Sequence, residues 1–312
     1  MKRTEELLSS FDKSWNQFSQ AWKKARAKAS EKSVHDLRVN SRRLIAALEL
    51  TRVLSRRERV AKLQRRFKKV LKRMGALRDV QVQLENLSEI SNISVISSFK
   101  RGLKRLERQE IDTIRAELKS GKKQRLAESL KDARSEFSRL YDSMGDDRFV
   151  RSVERFLSSR QNEFLKAKHR FQRLQPLNED ALHEMRIALK KLRYVVEAAQ
   201  PVLDRSAKQR ARQMQAFQQL MGDSRDVELL SVQLEKWAKK KGKKIAVVPA
   251  LERLHNKREA LLKRIIDSSD KLERAFKTET ETPRPLAETT QVPKVAAAAA
   301  AASFAGNSGT HP

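Results

Sequence analysis

The 312-residue chain has no cysteine. That excludes a disulfide framework and any thiolate-ligated metal site. Glycine (8) and proline (7) are scarce, and several of them fall after residue 282. Before that point little is available to break a helix. Aromatic residues make up 5%, and Trp15, Trp22 and Trp237 are spread out rather than grouped into a stacking platform. No run of 18 apolar residues occurs, so nothing reads as a spanning helix. Negative charge is also short: 39 Asp and Glu stand against 69 Lys and Arg, for a net charge of +30.

A folded chain of that charge repels itself unless counterions or a polyanion neutralise it. The expected partner is therefore a polyanion: nucleic acid, inorganic polyphosphate, an anionic membrane or another acidic polymer. Hydrophobic residues at 39% are enough for a core. The N-terminus, MKRTEELLSSFDKSW, is amphipathic and carries acids, unlike a signal peptide, and a cytoplasmic protein is expected.

What is present is a repeat. VHDLRVNSRRL (34–44) returns as LHEMRIALKKL (182–192), 148 positions on. MGALRDV (74–80) returns as MGDSRDV (221–227). His35 to Arg78 is 43 positions and His183 to Arg225 is 42. Two elements recurring together at nearly constant spacing predict a duplicated structural unit. Apolar residues recur at i, i+3, i+4 and i+7 in almost every window, which predicts an all-α fold. Helices are expected near 4–29, 31–54, 56–73, 78–89, 93–119, 123–143, 147–174, 179–203, 205–220, 225–241 and 246–277. Gly75 and Gly222 read as left-handed helix stops, with Asp79 and Asp226 capping or beginning the helix that follows. Pro176 and Pro201 read as marking a helix start and a helix end. The repeats divide at 1–145 and 146–277, and 278–312 reads as a disordered tail with a seven-alanine run.

At about 100° per residue, each repeated helix has an apolar stripe with a cationic stripe beside it. In the first copy Val34, Leu37, Leu44 and Leu48 are apolar, and His35, Arg38 and Arg42 form the cationic line. In the second, Leu182, Met185, Leu189, Leu192 and Val196 are apolar; His183, Arg186 and Lys190 are cationic, with Arg193 at the edge. A chain of phosphates could satisfy several such groups through charge-assisted hydrogen bonds. The next helix adds Arg65, Lys68, Lys69 and Lys72 in the first copy. Its counterpart keeps Arg212 but has Gln215 and Gln219, so the first copy is expected to bind anions more strongly. His169 and His255 have no equivalents and are expected at the surface. Most Met and Phe are expected in the core.

Enzyme signatures are weak. His35-Asp36 spells the dipeptide of metal-dependent phosphohydrolases, but Asp36 projects about 100° away and no further ligands follow. No phosphate-cradling glycine loop and no His-Glu-x-x-His helix occur. Clustered carboxylates for metal catalysis are missing from the repeated elements. Alternating Glu-x-Glu-x-Lys is absent too; Glu279-Thr280-Glu281 runs into Pro283. No catalytic residue, metal or cofactor is expected.

The doubled pattern VHDLRVNSRRL…MGALRDV and LHEMRIALKKLRY…MGDSRDV closely resembles the CHAD family, the conserved-histidine alpha-helical domains, over roughly residues 4 to 277. The resemblance implies two helical bundles with approximate internal two-fold symmetry. It implies a basic cavity or pore that binds inorganic polyphosphate, and association with polyphosphate granules. The family's positions carry over onto His35, Arg38, Arg42 and Arg43, and onto His183, Arg186, Lys190 and Arg193. Its Arg-Asp element carries over onto Arg78-Asp79 and Arg225-Asp226. Many members are fused to a triphosphate tunnel domain; none is seen here, so enzymatic activity by fusion is not implied. The alternatives are a nucleic-acid binder, an enzyme using His35 or His183 as proton donor, and a granule scaffold. Weak nucleic-acid binding is compatible with the charge.

Overall fold

The computed structural model describes residues 3–55, 58–90, 92–119, 121–174, 178–203 and 206–280. Ten α-helices and three short 3₁₀ turns account for almost all of them, and no strand occurs among them. The helices are α1 (Arg3–Ala27), α2 (Glu31–Ser55), α3 (Glu58–Arg73), α4 (Gly75–Asn86), α5 (Ile96–Lys119), α6 (Lys122–Met144), α7 (Asp146–Arg173), α8 (Glu179–Ala199), α9 (Ala207–Lys241) and α10 (Val248–Thr280). The all-α reading holds. Pro176 and residues 281–312 lie outside the described residues. Pro201 sits in the 3₁₀ turn Gln200–Val202 that closes α8.

The two repeated helices start in the same way. Ser30 accepts from the Ser33 backbone N–H at 3.4 Å. Asn178 accepts from the Ala181 N–H at 3.1 Å. Each cap lies five positions before its histidine, so cap and histidine keep one phase in both copies.

Two glycine expectations are corrected. Positive φ is found at Gly145 and Gly242, not at Gly75 or Gly222. Gly222 lies inside α9, which runs unbroken through the expected stop. Met214, Phe217, Met221, Ser224, Val227, Leu230 and Leu234 are all buried at helical spacing. That continuous buried stripe outweighs the ~1 kcal/mol an interior glycine costs. In the first copy the chain does break, at Met74 (φ −80°, ψ 1°), between α3 and α4. Asp79 and Asp226 are consequently not caps: one is in the first turns of α4, the other in mid-α9.

The core joins the repeats. One cluster packs α1, α2 and α3 around Phe18, Trp22, Leu44 and Phe67, with Leu118 of α5 and Leu130 of α6. Another combines Leu87 and Phe99 with Leu230, Leu234 and Leu254, from opposite halves of the sequence. A third sets Leu7, Ala46 and Leu50 against Val153, Val195 and Ala199. Met1–Ala275 forms one compact unit, and a second unit begins at Phe276. Met74, Met185, Met214 and Met221 are buried, while His169 and His255 are exposed.

A cationic cluster fed by both repeats

Helices α2 and α8 pack against each other, and α4 packs against α9. On α2, Val34, Leu37, Leu44 and Leu48 are fully buried; on α8, Leu182, Met185, Leu189, Leu192 and Val196 are buried. Burial of that stripe fixes the rotation of each helix. It leaves His35, Arg38 and Arg42, and His183, Arg186 and Lys190, on the flank. Arg78 and Asp79 come from α4, and Arg225 and Asp226 from α9.

These groups feel one another across the repeats. Burial drives the Lys190 ammonium down to about 8, and Arg42 and Arg38 of the other repeat, with Arg186, push the same way. Burial lowers Arg38 to about 10, with Arg42 adding to the effect and Asp79 opposing it. Burial likewise lowers Arg186; Arg225 and Arg42 add to this, while Asp226 and Asp79 oppose. His35 is lowered by burial, then by Arg78, Arg42 and Arg38, against Asp36. His183 is lowered by burial, then by Arg186, Arg225 and Lys190, against Asp180. The carboxylates shift the other way. Burial raises Asp79 despite Arg38, Arg78, Arg186 and Arg225, and raises Asp226 to about 6 despite Arg186. Cations pushed toward neutrality beside an exposed Asp79 and a half-buried Asp226 mean positive charge that the protein itself leaves undercompensated.

Several of these side chains are held in place. Arg38 donates from Nη1 to the Leu71 carbonyl at 3.1 Å. Arg78 donates to Glu31 at 2.8 Å and to Glu85 at 3.4 Å. Arg225 donates to Glu228 at 2.7 Å. The buried Nε of Arg186 has no hydrogen-bond partner among the described residues, a donor that an anionic oxygen could satisfy.

The remaining sequence candidates differ in their surroundings. Arg43 donates to Gln17 and to Asn40, both at 3.4 Å, and stands 3.7 Å from Glu197. Arg193 is buried; it donates to Gln218 at 2.9 Å, pairs with Glu197, and lies over the Tyr194 ring at 4.1 Å. Both arginines are used in holding α2, α8 and α9 together. Arg65, Lys68, Lys69 and Lys72 on α3, and Arg212 on α9, are exposed. Arg65 is engaged with Glu58 at 2.5 Å. None of these five is among the charges acting most strongly on Lys190, Arg38 or Arg186. The expected advantage of the first copy rested on the α3 cations, which are exposed. Helical periodicity read Asp79 and Asp226 only as caps, whereas the family resemblance carried the Arg-Asp element onto them; both act electrostatically on Arg186. Sequence reasoning missed Lys168, which is buried and bound to Asp270 at 2.6 Å and to Glu273. A lysine on the phase of Phe164 and Phe171 was the available signal. Among the described residues no group of three His, Asp or Glu is placed to hold a metal ion.

Fold and site together define an all-helical protein in which two sequence repeats pool their cations at one place. The chain belongs to the CHAD family: its family model matches residues 9–235. That family is associated with polyphosphate binding. The CHAD domain from the plant Ricinus communis is 18% identical and superposes with a TM-score of 0.65, over 91% of this chain and 93% of that one. PptA from Streptomyces chartreusis is 14% identical, with a TM-score of 0.57 over 86% of this chain and 100% of that one. At these identities the likeness is one of fold. No curated protein matches the chain in sequence. No helix is long and apolar enough among the described residues to cross a membrane.

Proposed function

We propose that the chain binds inorganic polyphosphate at the cluster formed by His35, Arg38, Arg42, Arg78, His183, Arg186, Lys190 and Arg225, without catalysis, and that this binding takes it to polyphosphate granules. The observation that carries the reading is the burial of Lys190, Arg38 and Arg186 beside like charges, with Arg42 of the first repeat acting on both Lys190 and Arg186 of the second. Like charges crowded at a half-buried site are unfavourable until a multivalent anion neutralises them together. A phosphate polymer supplies a charge at every unit and spans contributions from four helices.

The chemistry of the cluster supports binding over turnover. Its members are guanidinium, ammonium and imidazole groups with two carboxylates, and none is a nucleophile paired with a base. Nucleic acid is the less suitable ligand. Trp22 is buried in the core, while Trp15 stacks on Phe18 at 5.5 Å and Trp237 packs on Phe99 at the same distance, so the indoles are committed to packing. Calorimetric titration with long-chain polyphosphate tests the proposal. Wild type should bind, and Arg42→Ala with Lys190→Ala should lose most of the affinity while keeping its helical circular dichroism. Unchanged affinity in the double variant would remove the cluster from the account.

A further inference from the structure

We propose that the turn between α9 and α10 is a docking surface for an anionic lipid bilayer, separate from the polyphosphate cluster. Helix α9 ends in a left-handed Gly242 (φ 64°), with the Lys243 N–H bonded to the Ala238 carbonyl at 2.9 Å. The chain then turns through Ile245–Val247 into α10. Val247 is buried in the core at 1% exposure, whereas Ile245, two positions earlier, is 88% exposed. No other large apolar side chain among the described residues exceeds 43%. Val247 thus anchors the turn, and the anchoring leaves Ile245 pointing out.

The surroundings of Ile245 are cationic. Residues 236–248 read KWAKKKGKKIAVV, with six lysines and no acid, and all six lysines are exposed. Beside the turn is an open cleft of about 920 Å³ lined by Ser94, Ser97, Ser98 and Arg101 together with Lys243 and Lys244. The N–H groups of Ile96, Ser97 and Ser98 are already bonded to Ile93, Ser94 and Val95 carbonyls, so the side chains define this cleft. Hydroxyls and cations in a cleft suit a phosphate headgroup; a largely exposed isoleucine among its lining residues suits the acyl boundary beneath it. Inorganic polyphosphate or nucleic-acid backbone would use the lysines but has no apolar phase for Ile245. The isoleucine therefore favours a lipid surface.

The test is co-sedimentation of the full chain with vesicles of phosphatidylcholine alone and of phosphatidylcholine mixed with phosphatidylglycerol, at physiological salt. Wild type is compared with Lys243→Ala plus Lys244→Ala, with Ile245→Ser, and with Arg151→Ala plus Arg155→Ala as a control of equal charge on α7. Wild type should sediment with the phosphatidylglycerol vesicles only. The lysine pair should lose roughly 25-fold in partitioning, about five-fold for each lysine near an anionic surface. Ile245→Ser should lose roughly ten-fold, from the burial of one apolar side chain. The α7 control should stay near wild type, and all variants should keep their polyphosphate affinity. Several results would overturn the proposal. They are a control that loses as much as the lysine pair, an Ile245→Ser variant that binds as wild type, wild-type binding to neutral vesicles or to neither kind, and a lysine pair that keeps wild-type vesicle binding.

Discussion

Replacing Lys190 by methionine should make the ligand-free protein more stable and a worse binder. Lys190 is half-buried, and its ammonium is driven from 10.5 to about 8 by burial and by Arg42, Arg186 and Arg38. Keeping it charged at neutral pH therefore costs up to roughly 3 kcal/mol, and water relaxation at a half-buried position reduces that to ~1–2 kcal/mol. Methionine keeps the aliphatic stem and is about as good a helix former as lysine. For a unit of this size ~1–2 kcal/mol corresponds to a rise in Tm of roughly 2–6 °C. The pH dependence has a definite sign. The folded-state pKa is below that of the unfolded chain, so the penalty is fully present below about 8 and disappears as pH rises toward 10.5. The stability gap between variant and wild type should close over that window. Losing one charge-assisted contact, about 1.5–3 kcal/mol, should weaken polyphosphate binding by roughly 10- to 100-fold. Differential scanning calorimetry from pH 7 to 10, with and without polyphosphate, measures all of this. A lower or unchanged Tm for the variant at pH 7, or a gap that does not narrow as pH rises, would refute the reasoning.

Polyphosphate affinity should fall as pH rises from 7 to 9, because Lys190 loses its proton near 8, and should rise as pH falls through 6, where Asp226 becomes neutral; Asp226→Asn should flatten the acid limb in titrations across that range. Arg193→Ala leaves the half-buried Glu197 without its closest partner and removes the stacking on Tyr194, so chemical denaturation should show a loss of about 3–5 kcal/mol, with near-normal binding by the folded fraction. Lys68→Ala with Lys72→Ala should change affinity far less than Arg38→Ala with Arg42→Ala in the same titration, because the α3 pair is exposed whereas Arg38 and Arg42 are half-buried.

The sequence made the cluster's nucleus legible because one period of 3.6 carries two kinds of information on the same helix. Val34, Leu37, Leu44 and Leu48 had to be buried together, and that alone sets where His35, Arg38 and Arg42 project. The same holds for α8. Partner choice was not legible. Arg43 and Arg193 sit on the edge of the same stripe; the i,i+4 pair of Arg193 with Glu197 is local to α8, but Gln17 and Glu197 meet Arg43, and Gln218 meets Arg193, only through tertiary packing. Gly222 misled for a related reason. A glycine after a periodic run signals a stop, but the buried series from Met214 to Leu234 carried the helix through. Once α9 is continuous, Asp226 cannot cap anything, and it faces the arginines. The likeness of MGALRDV and MGDSRDV concealed that one copy breaks at Met74 and the other does not.

The most direct test of the central claim is an equilibrium competition. Long-chain polyphosphate competes against duplex DNA and single-stranded RNA at equal phosphate concentration and physiological salt, with wild type and with Arg42→Ala plus Lys190→Ala. The account predicts that polyphosphate displaces both nucleic acids from wild type, and that the double variant loses this preference while retaining the weak, salt-sensitive nucleic-acid binding its remaining charge supports. Equal or better retention of DNA by wild type, or an undiminished polyphosphate preference in the double variant, would contradict it.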